Sequence, residues 1–280
     1  MRVVVYFQDT NRRSKIIADA VVRGVIKSGD QAYTKSMNHY EGVEADIAVF
    51  YGTLLRPMQD YLAARCHYVY VDLGYWGRLS GGKFEGYHKV SVDARHPTHY
   101  FQKVAHDDKR SRVFNKLKIR PWNKEGKYIL IAGMSAKGAI AAGFKPEQWE
   151  KDIVSLIRRA SDRPILYRPK PNWSDYTVIE GCKLDRNADL YKVLEDCYAV
   201  VAHHSNVAVD AIIQGVPAFC HEGVARVQSL QDISMIDKPL MRDDREQWVR
   251  DIAYTQWSVS EIASGLPWMH LKSEGLVKGG

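Results

Sequence analysis

The sequence predicts an α/β protein whose parallel sheets are doubly wound by helices. Short apolar runs, which are typical of buried parallel strands, alternate with amphipathic segments of helical period at short spacing. This alternation occurs in two series, and the strongly charged residues 103–127 separate them. A chain of 280 residues is long enough for two such domains.

In the first series, strands are predicted at Arg2 to Phe7, Asp46 to Tyr51 and His67 to Val71, with helices near 13–27 and 57–65. The turn after the first strand contains no GxGxxG pattern. A nicotinamide or flavin site therefore lacks its main fingerprint.

The second series begins near Lys127. It predicts strands at 128–132, 164–167 and 199–202 and helices at 148–159, 188–197 and 207–214. The apolar, helix-rich segment 245–271 is expected to dock on another part of the chain. We therefore expect a first domain of residues 1–120, completed by helices of about 245–280, and a second domain of residues 121–244.

Composition indicates an ordinary globular protein, with 45% hydrophobic and 26% charged residues. No run approaches the roughly 18 apolar residues of a membrane span, and the N-terminal sequence reads as a strand rather than as a signal peptide. The four cysteines are scattered and include no CxxC pair. We expect a cytoplasmic protein with reduced thiols and no cysteine-based metal site. The sequence leaves the oligomeric state open, and a monomer is compatible with it.

The most informative stretch is Ala199 to Cys220. A predicted buried strand leads into His203-His204-Ser205-Asn206, and a helix follows that ends before Gly215 and Pro217. Ser205 is the first candidate for the N-cap, and Asn206 is the second. A polar turn between a parallel strand and a helix is typical of a phosphate site, although a cap without any ligand explains the same pattern.

Asp72 stands at the end of another predicted strand, and an aromatic, glycine-containing loop with Tyr75, Trp76 and Arg78 follows it. Ligands collect at such strand ends, and we expect the two rings to stack on a ligand ring. The alternative is that Asp72 only caps the next turn.

Three further features predict contacts with anions. The turn Gly133 to Gly138 offers small residues and Lys137 to a phosphate. Arg168 and Lys170 lie on a proline-stiffened strand end that would suit a pyrophosphate. Residues 103–127 hold nine Lys or Arg against three acids, which predicts a polyanionic partner or a solvated linker.

The order of these motifs resembles that of GT-B glycosyltransferases, in which two Rossmann-like domains face a cleft and a C-terminal helix crosses back to the first domain. The segment HHSNVAVDAIIQGVPAF is similar to their donor-site segment, with Asp210 where the family commonly has Glu. The resemblance implies a nucleotide-sugar, most simply a UDP-sugar, bound by the second domain. The implied donor-binding residues are Gly133, Ser135, Lys137, Arg168, Lys170, His204, Ser205, Asn206 and Asp210.

A narrower likeness is to phage DNA glucosyltransferases, which glycosylate hydroxymethylated bases. It implies that Asp72 is the catalytic base, that Ser135 and Lys137 contact the donor phosphates, and that DNA is the acceptor. The implied acceptor-binding residues are Tyr75, Trp76, Arg78, His96, Lys116, Lys118 and Arg120. A DxD motif is missing, so we expect no obligatory metal and at most stimulation by a divalent ion. A transferase acting on a cell-surface polysaccharide, a nucleotide-sugar epimerase and a non-catalytic nucleic-acid binder remain alternatives.

Overall fold

The computed structural model describes residues 1–78, 84–114, 117–170 and 176–278, and they form two compact units. Unit 1 contains Met1–Arg110 and Asp251–Gly280, and unit 2 contains Ser111–Arg250. No helix among the described residues combines the length and the apolar character that crossing a bilayer requires. All four cysteines lie in the described ranges and are free thiols.

Unit 1 is built on a mixed sheet with the strand order β11-β5-β4-β3-β1-β2 among its described residues. Strands β2, β1, β3 and β4 are parallel, whereas β5 pairs antiparallel with β4 and β11 pairs antiparallel with β5. The strands are β1 (Arg2–Phe7), β2 (Gln31–Ser36), β3 (Ile47–Tyr51), β4 (His67–Leu73), β5 (Tyr87–Val92) and β11 (Gln256–Ser258).

The helices of unit 1 cover this sheet. They are α1 (Arg12–Lys27), α2 (Leu55–Ala63), α8 (Val259–Ser264) and α9 (Leu266–Ser273). Helix α1 begins where the Asn11 side chain accepts a hydrogen bond from Ser14 N, and α8 begins with a capping box of Ser258 and Glu261. A Cβ on Gly24 of α1 would lie 2.0 Å from Ile262 O of α8, so the two helices need glycine at this contact.

Unit 2 is built on a parallel sheet with the order β10-β9-β6-β7-β8 among its described residues. The strands are β6 (Tyr128–Ala132), β7 (Ile165–Arg168), β8 (Lys183–Leu184), β9 (Cys197–Ala202) and β10 (Ala218–Cys220). The helices are α3 (Ala136–Ala141), α4 (Gln148–Ala160), α5 (Leu190–Glu195) and α6 (Val207–Ile213), and α7 (Arg245–Ala253) includes the junction with unit 1. Every residue of β9 is buried, as its apolar run predicts.

The predicted α/β class, the two sheets and the return of the C-terminal segment to the first unit are confirmed. The predicted strands and helices of both series are present, with ends shifted by at most two residues. Strands β2, β5, β8, β10 and β11 were not predicted. The residues of β2 are all at least partly exposed, so no apolar run marks this strand, and β11 interrupts a tail that reads as helical.

The units divide at residues 110/111 and 250/251, whereas the sequence suggested 120/121 and about 245. Arg110 belongs to unit 1 because its guanidinium pairs with Glu261 at 2.9 Å and lies 3.6 Å from the centroid of the Trp257 ring. Arg120 belongs to unit 2 because its main-chain N–H donates to Ile213 O at 2.8 Å.

Candidate functional site

The carboxyl ends of β6, β9 and β10 form one edge of the unit 2 sheet, because these strands are parallel neighbours. Each strand leads into a polar turn. Ser135 follows β6, His203 to Asn206 follow β9, and His221 and Glu222 follow β10. Ligands of open α/β sheets bind at this kind of edge.

The turn after β6 is fixed from two sides. Ser135 is the N-cap of α3, and its Oγ accepts from Gly138 N at 3.2 Å, while Met134 N donates to the buried Glu150 Oε1 at 2.7 Å. Burial raises the pKa of Glu150. A Cβ on Gly133 would lie 2.7 Å from Cε2 of Tyr167, so this glycine lets the turn pack directly on the ring. Lys137 is exposed at the start of α3.

The turn after β9 is half-buried from His204 to Asn206, and His203 is buried. Helix α6 begins after Asn206, one residue later than the first candidate cap implied. Ser205 still satisfies the helix start, because its Oγ accepts from Val207 N at 3.3 Å and its carbonyl accepts from Ala208 N at 3.1 Å.

The two turns meet at Gly138. A Cβ on Gly138 would lie 3.3 Å from Ser135 Oγ and 3.6 Å from His204 Nε2. The structure therefore brings together Ser135 and His204, which the sequence placed in one donor site from positions that are far apart in the chain.

Asp210 is buried in α6 and lines a cavity of about 270 Å³. Its other lining residues are Leu117, Lys118, Tyr191, Ile213 and Gln214. Arg120 lines a second cavity of about 270 Å³, which shares Tyr191 and Gln214 with the first. Lys118 and Arg120 thus belong to the unit that carries the donor candidates, which corrects their expected place in the first domain. Lys116 lies outside the described residues.

Arg168 does not have the environment that we expected of a pyrophosphate ligand. Its Nη1 is ion-paired with Asp185 Oδ2 and also donates to Asn187 O at 2.8 Å. The two charged side chains are 13% and 5% exposed, so the arginine charge is already neutralised inside unit 2. Lys170 is exposed.

In unit 1, Asp72 lies half-buried near the end of β4. Its Oδ2 accepts from the Tyr70 hydroxyl at 2.8 Å, and its Oδ1 accepts from Leu73 N at 2.8 Å. Burial, together with the charge of Asp72, raises the pKa of Tyr70 far above its usual range, so this phenol remains a hydrogen-bond donor. The carboxylate is held in a fixed orientation at the strand end.

The predicted stacking role of Tyr75 and Trp76 is wrong for this structure, because both rings are buried, with exposures of 1% and 6%. Their main-chain N–H groups donate to Gln256 Oε1 of β11 at 2.6 and 3.1 Å. The returning C-terminal segment covers this loop, and the local pattern does not indicate it. Arg78 is exposed.

Sequence reasoning missed Lys89, which pairs with Asp72 in the register of β4 and β5. Its ammonium is buried, lies 5.5 Å from the centroid of the Tyr70 ring and approaches His96 Nδ1 at 3.3 Å. The Tyr75 hydroxyl lies 3.4 Å from the same nitrogen of His96. A lysine inside the short segment Tyr87–Val92, which forms a largely buried strand, is the signal that could have identified this residue.

The basic segment is partly neutralised within the chain. Lys109 pairs with Asp107 at 3.1 Å, Arg110 pairs with Glu261, and Lys127 pairs with Asp196 at 3.0 Å. Arg110 is therefore held within unit 1, whereas the pairs of Lys109 and Lys127 are exposed and leave these cations accessible to a polyanion.

No protein-family model matches the sequence, and no curated protein matches it significantly. Solved structures do resemble it. Thermosulfurimonas dismutans KpsC, beta Kdo 2,4 transferase, has a TM-score of 0.56 and 12% identity and covers 92% of both chains. The beta Kdo 2,7 transferase of the same KpsC has a TM-score of 0.56 and 13% identity and covers 96% of this chain and all of the other.

The fold is of the GT-B type. At this identity the likeness concerns the fold alone, and it extends over both units of the chain. A GT-B fold agrees with the architecture that the motif order implied.

We predict that replacing Arg168 affects stability more than binding. Arg168→Met leaves the Asp185 carboxylate buried without its cation, which should lower the free energy of unfolding by about 3–5 kcal/mol. Lys170→Met, two residues away and exposed, should change it by less than about 0.5 kcal/mol. Urea denaturation of the two variants measures the difference, and equal small effects would show that the ion pair is unimportant.

We also predict that His88 makes stability depend on pH. Its Nδ1–H donates to Gly86 O at 2.8 Å, and its buried Nε2 has no hydrogen-bond partner among the described residues. Burial, followed by the charge of Arg13, lowers the pKa of His88 to about 4.

The folded state prefers neutral His88. The contribution of His88 to the free energy of unfolding is therefore complete above the pKa of the unfolded state, about 6.5, and is lost as the pH falls towards 4. The loss should reach about 3 kcal/mol between pH 7 and pH 4. The free energy of unfolding is measured for wild type and for His88→Asn across this pH range. The difference between the two isolates the contribution of His88, since asparagine keeps a hydrogen-bond donor but does not titrate. Parallel profiles would refute the assignment.

Proposed function

We propose that this protein is a glycosyltransferase that moves a sugar from a nucleotide-sugar to a hydroxyl group of an acceptor. The observation that carries the proposal is the meeting of two polar turns, with Ser135 and His204, at the carboxyl edge of the unit 2 sheet. The GT-B fold supports it.

The donor is proposed to bind to unit 2, with a UDP-sugar as the first choice. Glycosyl transfer requires stabilisation of the negative charge that develops on the leaving nucleoside diphosphate. Exposed Lys137 and Lys170 are available for this. The proposed set of donor-binding residues also includes Gly133, Ser205, Asn206 and Asp210. Arg168 contributes to this site indirectly, through its ion pair with Asp185.

The acceptor is proposed to bind to unit 1, with Asp72 as general base. The proton of an acceptor hydroxyl must leave as its oxygen bonds to the sugar carbon, and a positioned carboxylate can take it. Tyr70 and Leu73 orient the carboxylate by donating one hydrogen bond to each oxygen. Lys89 and His96 provide the polar surroundings of this site.

Two acceptor classes are candidates. A hydroxymethylated base in DNA is the acceptor implied by the motif order, and exposed Arg78 of unit 1 would serve its phosphates. A saccharide is the second candidate, because a transferase acting on a polysaccharide would share the same donor half.

The test is to incubate the protein with a panel of nucleotide-sugars and either base-hydroxymethylated DNA or an oligosaccharide, and to analyse the products by mass spectrometry. Addition of a hexose or another sugar mass to one acceptor supports the proposal and selects the acceptor. Conversion of the donor into an isomer without any acceptor would indicate an epimerase. A donor that is neither bound nor consumed, across the panel, would contradict the function.

We predict that Asp72→Asn lowers turnover by roughly 10²–10⁴, the usual contribution of a general base, and leaves donor affinity unchanged. The matched control is Asp93→Asn. Asp93 also stands at a strand end of unit 1, but it accepts from Tyr68 N at 2.9 Å and contacts His67 Nδ1 at 2.6 Å. Near-normal turnover of Asp72→Asn, with a melting temperature like that of wild type, would exclude Asp72 as the base.

A further inference from the structure

The turns after β9 and β10 are joined by main-chain hydrogen bonds. Cys220 is aligned with Ala202 in the parallel register, and beyond this pair His221 N donates to Ala202 O at 3.3 Å. Glu222 N then donates to His203 O at 2.7 Å. These bonds place Glu222 beside the histidine pair, although 17 or more residues separate them in sequence.

The ligand atoms of His203, His204 and Glu222 converge. One such atom from each residue lies within 4.8 Å of the other two, and the Nδ1 atoms of the two histidines are hydrogen-bonded at 3.1 Å, a contact that a shared ion would replace. With metal–nitrogen bonds of about 2.0–2.1 Å, this separation corresponds to an angle of about 100° at a shared ion, near the tetrahedral value.

The ring of His203 is held in place by its neighbours. Phe144 and Trp149 present ring edges to it at centroid distances of 5.5 and 5.8 Å, and His221 stacks on it at 5.8 Å. The Cys220 thiol donates to Glu222 O at 3.1 Å and so fixes the start of the second turn. Rigid support of this kind is what a metal-binding histidine requires.

From this geometry we propose that His203, His204 and Glu222 form a site for a divalent transition metal, with Zn²⁺ as the first candidate. Two imidazole nitrogens and one carboxylate suit Zn²⁺ and leave a coordination position for water or a ligand oxygen. The same set disfavours Ca²⁺ and Mg²⁺, which prefer oxygen ligands. The inference stands on the side-chain geometry and does not require the proposed glycosyl transfer.

A second group of possible ligands, His106, His270 and Glu274, lies in unit 1 and serves as an internal comparison. His106 Nδ1 is already 3.3 Å from Asp251 Oδ1, and its ring stacks on Tyr254 at 4.3 Å. A histidine whose other ring nitrogen contacts a carboxylate can also ligate a metal, so His270→Ala is the variant that distinguishes this group from the one in unit 2.

The test uses the full chain, stripped with a chelator and titrated with ZnCl₂ by calorimetry, with metal content measured by mass spectrometry after dialysis. We expect one Zn²⁺ per chain, a Kd raised at least tenfold in His204→Ala and in Glu222→Gln, and an unchanged Kd in His270→Ala. MgCl₂ should not compete.

Absence of Zn²⁺ binding to the wild-type chain would overturn the proposal. So would wild-type affinity in both His204→Ala and Glu222→Gln, or loss of binding in His270→Ala alone. Substitution of Co²⁺ into the wild-type chain adds a readout that needs no variant: the visible absorption of a four- or five-coordinate nitrogen and oxygen site supports the assignment, and a six-coordinate, water-like spectrum contradicts it. The readouts are metal binding only, so failure here is distinguishable from failure of the proposed catalysis.

Discussion

The side chain of Gln256 holds together the part of unit 1 on which the Asp72 site depends. Its Oε1 accepts the main-chain N–H groups of both Tyr75 and Trp76 and leaves room for no Cβ on Gly74, where one would lie 2.7 Å away. The loop that follows Asp72 is thus built against a residue 180 positions later in the chain. The carboxylate itself is oriented within its own strand by Tyr70 and Leu73, and Gln256 fixes the loop that follows it.

In unit 2, the corresponding constraint is the parallel pairing of β6, β9 and β10, which delivers three polar turns to one edge. The carboxyl ends of parallel neighbours lie at one edge of the sheet, so small, hydroxylated and imidazole side chains from distant positions in the chain become neighbours. Buried Glu150 accepts a hydrogen bond from the turn after β6, and the Tyr167 ring packs against Gly133 of the same turn. In the turn after β9, the Ser205 side chain accepts a hydrogen bond from the start of α6. The sheet therefore positions the residues of the candidate site independently of a ligand.

The sequence predicted those strands, helices and turns that depend on local hydrophobic periodicity and on helix capping. The buried strands β1, β3, β4, β6 and β9 are apolar runs, and the turns that follow them are polar for the same topological reason. The pairing of Arg168 with Asp185 and the burial of Tyr75 were not predictable, because each depends on a partner that no local pattern names. The convergence of Glu222 with His203 is of the same kind, since it arises from strand register. Strand β2 was missed because its exposed edge position requires no apolar run.

The division of the chain has a consequence for biosynthesis. Unit 2 is continuous in sequence, whereas unit 1 combines Met1–Arg110 with Asp251–Gly280. During vectorial synthesis, residues 111–250 can complete their sheet while the first unit still lacks β11, α8 and α9. Until those residues leave the ribosome, the outer edge of β5 and the apolar face of α1 have no cover, and such an unpaired edge invites pairing with other chains. Residues 1–110 therefore complete their native packing only after residues 251–280 have been synthesised, although they precede the whole of unit 2 in the sequence.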